Sequence, residues 1–217
     1  MRIFAEKPLI YLITKGETTI ENFRSQSNEV LKIIETAVRA KVNLIQIREK
    51  LLPAKLVFKL VSKAAAITKN SNTKLLVNDR ADIAFAAGAD GVHLTSDSIP
   101  AEIIRRHFPA NFIIGVSAHS FAEVESAKRA GADFATFSPV FATASKAKYG
   151  APQGVAKLRE AAQTVENFPV VALGGIDEHN FEEVLQAGAK GIAAIRFLSD
   201  AEDLSETMRK IRDYKNE

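Results

Sequence analysis

Three stretches of the chain repeat one another: AGADGVHL at 87–94, AGADFATF at 130–137 and AGAKGIAA at 187–194. In each, a glycine follows a segment of helical period, where the left-handed conformation it tolerates stops a helix. A short apolar run follows at once. A helix that ends where a buried strand begins, met three times, marks a repeated strand–helix unit.

Working outward, the same alternation covers the chain. Strand candidates are 9–14, 44–48, 74–78, 91–94, 112–117, 134–137, 170–173 and 191–195, each followed by a helical pattern. Ser120 with Glu123 reads as a capping box, Pro100 suits a first helical turn, and Asp177 can cap the helix after the seventh strand. Strands separated by helices on short connections are parallel, with helical crossovers. An open doubly wound sheet and a closed barrel both satisfy that rule. Eight units in 217 residues favour a single-domain α/β fold over 1–217, a (β/α)8 TIM barrel with trimmed loops. In such a barrel, functional groups gather at the carboxyl ends of the strands.

Composition excludes several classes. Apolar residues make up 47% and charged residues 25%, as in a soluble globular protein. Lys+Arg number 29 against Asp+Glu 26, and the bases are interspersed with acids, so no nucleic-acid stripe is present. The absence of cysteine removes disulfides, thiolate nucleophiles and Cys-ligated metals. The N-terminal run LIYLIT (9–14) is far shorter than a membrane span and lacks the form of a signal peptide. The expected address is the cytoplasm, with no membrane partner.

The strand ends carry the chemistry. Alternation in LIQIREK (44–50) sends Ile45 and Ile47 to the helices and Gln46, Arg48 and Lys50 towards the barrel mouth. Inward cations need neutralising anions: either Glu49 in a salt-bridge layer or an anionic ligand. VNDR (77–80) ends the third strand with Asn78 and Asp79. Asp79 can cap a helix, or hold Mg2+, which takes one or two carboxylates plus substrate phosphates. Ser117 and His119 share a face at the end of the fifth strand, where a histidine can be an acid–base group or a loop hydrogen-bonder. His93 lies inside a strand and reads as structural; His107 and His179 fall in exposed helical surroundings. Gly174–Gly175 and Ile195–Arg196 end the seventh and eighth strands, where bare amides suit phosphate. SPVFATASKAKYGAPQG (138–154), rich in hydroxyls and ammonium groups, reads as a lid with Gly150 and Gly154 as hinges.

Six ordered motifs, QIREK (46–50), VNDR (77–80), ADGVHL (89–94), GVSAHS (115–120), SPVFATASK (138–146) and ALGGI (172–176), resemble the thiamine phosphate synthase/thiazole tautomerase family over essentially the whole chain. The resemblance implies Mg2+-dependent joining of hydroxymethylpyrimidine diphosphate to hydroxyethylthiazole phosphate, with release of pyrophosphate. Gln46, Ile47, Arg48, Glu49, Lys50 and Asn78 would then bind the pyrimidine diphosphate, and Asp79 the metal. Ser117 would face the pyrimidine or its diphosphate, and Lys146 the diphosphate. Thr143, Ala144 and Ser145 would hold the thiazole phosphate, cradled further by Gly175, Ile195 and Arg196. Arg48, Lys50, Ser117, His119 and Lys146 are the implied catalytic residues, and self-association is expected. The chain departs from the pattern at HLTSDSI (93–99), where Ser98 stands in place of a second metal carboxylate and Asp97 lies one residue early. The tautomerase branch, which tolerates that loss, would use His119 for proton transfer. A non-catalytic binder of thiamine-related phosphates is the third reading.

Overall fold

The computed structural model describes residues 8–143, 151–165 and 167–214. Eight parallel strands close into a barrel in sequential order: β1 (Leu9–Ile13), β2 (Leu44–Ile47), β3 (Lys74–Asn78), β4 (Gly91–Leu94), β5 (Ile113–Ala118), β6 (Phe134–Phe137), β7 (Val170–Leu173) and β8 (Gly191–Ala194). β8 returns to β1 with Tyr11 opposite Ala193. Closure removes every free sheet edge, so the open doubly wound alternative is excluded. The helices α1 (Phe23–Arg39), α2 (Ala54–Thr68), α3 (Ala81–Ala86), α4 (Ala101–His107), α5 (Phe121–Arg129), α6 (Gly154–Thr164) and α7 (Phe181–Gln186) cover the outside. After β8 come two helices, a four-residue α8 (Arg196–Ser199) and α9 (Leu204–Asp213).

Strand alternation sorts the side chains into two apolar groups. Ile10, Leu12, Ile45, Ile47, Leu75, Val77, Ile114, Ala135 and Ile192 face the helices. Leu9, Tyr11, Ile13, Leu44, Leu76, Ile113, Phe134, Val171 and Ala193 fill the barrel. The inner column also carries three buried polar residues, Gln46, His93 and Thr136.

The repeated junctions have a common construction. Gly88, Gly131 and Gly188 are all left-handed, with φ of 77°, 80° and 97°. Each donates to the carbonyl three residues back, and the following alanine donates to the carbonyl five back, closing the same C-terminal motif three times. The next residue ties the unit to its neighbour. Asn43 and Asp90 accept the Ile10 and Leu75 amides, and Asp133 accepts the Ile114 amide. Asp133 also accepts from Arg105, and Asp90 from Lys74. At the third junction Lys190 replaces the acid, and the tie is made by backbone alone: its amide donates to the Val170 carbonyl and its carbonyl accepts the Leu9 amide.

Three helix-start expectations differ in outcome. Ser120 accepts the Glu123 amide as expected of a cap, while the Glu123 carboxylate returns to the His119 amide. Asp177 does not cap α7. Its carboxylate accepts the His179 amide within the preceding turn, and Asn180 is the residue at the cap. Pro100 precedes α4 rather than entering its first turn.

Candidate active site

The tips of β2, β3 and β4 enclose a hollow of about 350 Å3 lined by Ile47, Glu49, Lys50, Asn78, Asp79, Arg80, Thr95 and Asp97, with apolar walls from Leu52, Val57 and Val77. A larger depression of about 640 Å3 lies on the outer face between α7 and α9. Its Arg209 is paired with Glu206 and Asp213, and the depression lies away from the strand tips.

Asp79 reaches this hollow from a left-handed backbone, φ 65°. Aspartate tolerates that region better than most residues. Its amide donates to the His93 carbonyl across the β3–β4 seam, 2.8 Å, so the turn is tied to the neighbouring strand. The helix-cap alternative fails: Arg80 stands at the cap of α3 and no side chain caps it. The Asp79 carboxylate is exposed and has no hydrogen-bond partner among the described residues. Arg80 is turned aside by Asp82, which it grips with two nitrogens at 2.8 and 2.6 Å. That pairing holds the Asp82 carboxyl below its ordinary range.

The following loop carries the HLTSDSI departure. Ser98 Oγ accepts the Thr95 amide at 2.7 Å and lies 3.2 Å from the Thr95 hydroxyl. It closes its own turn. Asp97 is the exposed carboxylate that lines the hollow with Asp79.

Glu49 requires a correction. Neither Arg48 nor Lys50 pairs with a carboxylate among the described residues, so the salt-bridge layer is not formed there. The buried Glu49 carboxylate instead accepts from the Thr14 hydroxyl (2.7 Å) and the Gly16 and Thr18 amides (3.3 and 3.0 Å). Thr14 Oγ1 in turn accepts the Arg48 amide. The loop after β1 is thereby strapped across the β2 tip. A Cβ on Gly16 would lie 2.9 Å from the Arg48 carbonyl and 3.4 Å from its guanidinium. Arg48 is left half-buried and Lys50 exposed.

Beneath the mouth, Gln46 Nε2 donates to the Tyr11 hydroxyl at 2.7 Å. Tyr11 lies 3.2 Å from His93 Nδ1, and His93 Nε2 lies 3.1 Å from Ser117 Oγ and 3.4 Å from Thr136 Oγ1. Burial, with a smaller contribution from the Arg48 charge, pulls the His93 pKa down to about 3. Burial also raises the Tyr11 hydroxyl, against the hydrogen bond from Gln46. His119 leaves the strand and is exposed, its Nδ1 2.6 Å from the Ser138 carbonyl. A carbonyl only accepts, so Nδ1 carries the proton and Nε2 is the basic nitrogen.

On the other side of the mouth, Gly174 and Gly175 have φ of 99° and 67°. They admit the chain after β6: Cβ atoms there would meet Pro139 Cα and Phe141 Cβ, each at 2.7 Å. Val140 and Phe141 donate to the Leu173 and Gly174 carbonyls. The glycine pair is therefore a packing surface for the start of the 138–154 stretch as well as a source of amides. Ile195 stands at the cap of α8, with no side chain capping that helix's first-turn amides, and Arg196 is exposed beside it. Thr143 is half-buried at the end of the described part of that stretch. Ala144, Ser145, Lys146 and Gly150 lie outside the described residues. Gly154 is no free hinge, since its amide donates to Val140 and the Gln153 amide to Pro139.

The fold and this mouth define a class: a closed parallel (β/α)8 barrel whose strand tips bring cations, carboxylates and backbone amides together. The sequence profile of the thiamine monophosphate synthase family matches residues 10–198. The chain belongs to that family. It is 37% identical to the thiamine-phosphate synthase of Chloroflexus aurantiacus over 83% of this chain and 82% of the relative. It is 35% identical to that of Caldicellulosiruptor saccharolyticus over 92% and 89%. Among solved structures, the thiamine phosphate pyrophosphorylase from Pyrococcus furiosus aligns with a TM-score of 0.77 at 30% identity, covering 95% of both chains. A 3-hexulose-6-phosphate synthase at 19% identity shares the fold (TM-score 0.67). No helix among the described residues is long and apolar enough to cross a membrane.

Proposed function

We propose that this protein is a thiamine-phosphate synthase, joining a pyrimidine methyl diphosphate to a thiazole ethyl phosphate with release of pyrophosphate. Family membership supports the reaction. The single structural observation that carries it is the hollow in which Lys50 and Asn78 meet Asp79 and Asp97.

Magnesium fits this donor set. Two exposed carboxylates, Asp79 and Asp97, line one hollow, while the third, the buried Glu49, is taken up by the loop after β1. A hard ion that takes one or two carboxylates and completes its shell from phosphate suits such a site. Asp79 and Asp97 would hold the ion, which supplies charge neutralisation at the diphosphate oxygens when bound.

The chain's own groups do the rest. Arg48 and Lys50, free of carboxylate partners among the described residues, meet negative charge on the departing diphosphate, a role the family resemblance also gives Lys146. Asn78, Gln46 and Ser117 orient the pyrimidine over the barrel axis. Gly175, Ile195, Arg196 and Thr143 receive the thiazole phosphate on the other side of the mouth, a role the family resemblance also gives Ala144 and Ser145. Departure of pyrophosphate leaves a pyrimidine cation, which the thiazole nitrogen captures. No protein nucleophile is needed; positioning and fixed charge do the work. Activity resides in the cytoplasm, and the protein self-associates.

The test is direct. The purified protein, supplied with both phosphorylated halves and Mg2+, should form thiamine phosphate, and chelation should stop it. An enzyme that forms no product but interconverts thiazole tautomers, losing that activity in His119→Ala, would replace this reading with the isomerase.

A further inference from the structure

His93, a histidine inside a strand, has no assigned part in the chemistry above, yet the barrel is built around it. It is 3% exposed and Tyr11 is fully buried. Both rings pack on Phe134, at 5.8 and 5.6 Å between centroids, and 5.7 Å from each other. Gly115 makes room for them: a Cβ there would lie 2.5 Å from Phe134 and 2.7 Å from His93 Nδ1. The three polar atoms of this buried pair, Tyr11 Oη and His93 Nδ1 and Nε2, connect Gln46 on β2 to Ser117 on β5.

The direction of each hydrogen bond follows by elimination. An amide nitrogen only donates, so Tyr11 Oη accepts from Gln46 Nε2. The single Tyr11 proton is then available to His93 Nδ1. No carboxylate faces the imidazole, whose polar neighbours are Tyr11, Ser117 and Thr136. A cationic ring there would be uncompensated, so the ring is neutral and has one proton. With Nδ1 accepting, that proton sits on Nε2 and goes to Ser117 Oγ. Ser117 therefore accepts from below, and its own proton points elsewhere.

We propose that Tyr11 and His93 are positioning residues: with Gln46 they form a proton-ordered chain across the barrel that keeps the Ser117 hydroxyl a donor towards the substrate in the mouth. This rests on the synthase reading for its effect on rate, though not for the order of the chain. If the order reversed, Ser117 would donate down to His93 and be lost to the ligand. Tyr11→Phe removes the proton that keeps Nδ1 an acceptor, so the imidazole is free to carry its proton on Nδ1 and take the Ser117 proton on Nε2.

Two measurements decide it. Two-bond proton–nitrogen NMR correlation on the wild-type protein should show His93 neutral with its proton on Nε2, moving to Nδ1 in Tyr11→Phe. A wild-type ring protonated on Nδ1 overturns the proposal without any variant. In steady-state coupling assays, Tyr11→Phe and Ser117→Ala should each lower kcat/KM about tenfold, the scale of one hydrogen bond. The double variant should be no worse than Ser117→Ala. Multiplicative losses would mean that Tyr11 acts through packing alone, and would also overturn it. Failure of the wild type to form thiamine phosphate would count against the functional reading, leaving the tautomer measurement to judge the chain.

Discussion

Asp79 shows how much one residue can be asked to do. Its left-handed backbone, the hydrogen bond from its amide to β4 and a carboxylate without a partner among the described residues direct a charge into the hollow rather than into the helix that follows. Asparagine tolerates the same backbone, so Asp79→Asn removes charge with little strain. We expect kcat to fall about 100-fold, since charge stabilisation by a metal is worth several kcal/mol, with the melting temperature almost unmoved. Unchanged turnover at saturating Mg2+ would show the carboxylate to be dispensable. The neighbouring pair Asp97 and Ser98 should separate cleanly. Asp97→Asn should raise the Mg2+ concentration needed for half-maximal rate, whereas Ser98→Ala should cost about 1 kcal/mol of stability through its lost turn bond and leave Mg2+ dependence alone. The reverse pattern would return the metal role to position 98.

At the scale of elements, the loop after β1 and the tip of β2 behave as one unit through Glu49. A buried carboxylate accepting two amides and a hydroxyl is satisfied by the loop and cannot also neutralise Arg48. Glu49→Gln keeps the shape, removes the charge and substitutes an NH2 where an acceptor is needed. Chemical denaturation should register a loss of about 2 kcal/mol, in the range for hydrogen bonds to charged groups. KM for the pyrimidine diphosphate should rise as Arg48 loses its support. If stability falls with KM unaltered, the strap holds the loop but does not position the cation.

For the whole molecule, the barrel interior sets the acid limit. His93 binds a proton near pH 6.5 when unfolded and only near pH 3 when folded. Between those values the unfolded chain holds more protons, so stability rises with pH there and is lost as pH falls from about 6.5 towards 3. The slope from this one group reaches about 1.4 kcal/mol per pH unit. His93→Gln should be less stable at pH 7 but flatter across that window, as read from urea unfolding at several pH values. Equal slopes in the two proteins would show that the ring takes its proton without unfolding the barrel.

The strand–helix repeat was legible in the chain because its signals are local. A glycine that must be left-handed, an apolar run of period two and a polar residue at a tip act within a few residues of themselves, and the observed strands fall within one residue of the expected ends. Alternation put Gln46 and Ser117 on the inner side of their strands, where they meet Tyr11 and His93, whereas Asp79 reaches the hollow only through its left-handed turn. What the tertiary structure alone decided was partnership. That Glu49 serves Thr14 and Thr18 rather than Arg48, that Ser98 closes its own turn while Asp97 lines the same hollow as Asp79, and that Gly174–Gly175 receive Pro139–Phe141 are arrangements of segments far apart or bent by the loop. Tyr11, His93 and Ser117 come from three strands separated by as many as 82 positions between bonded partners. A hydrogen bond has direction and reach of about 3 Å, and neither exists until closure of the barrel brings those strands to face one another.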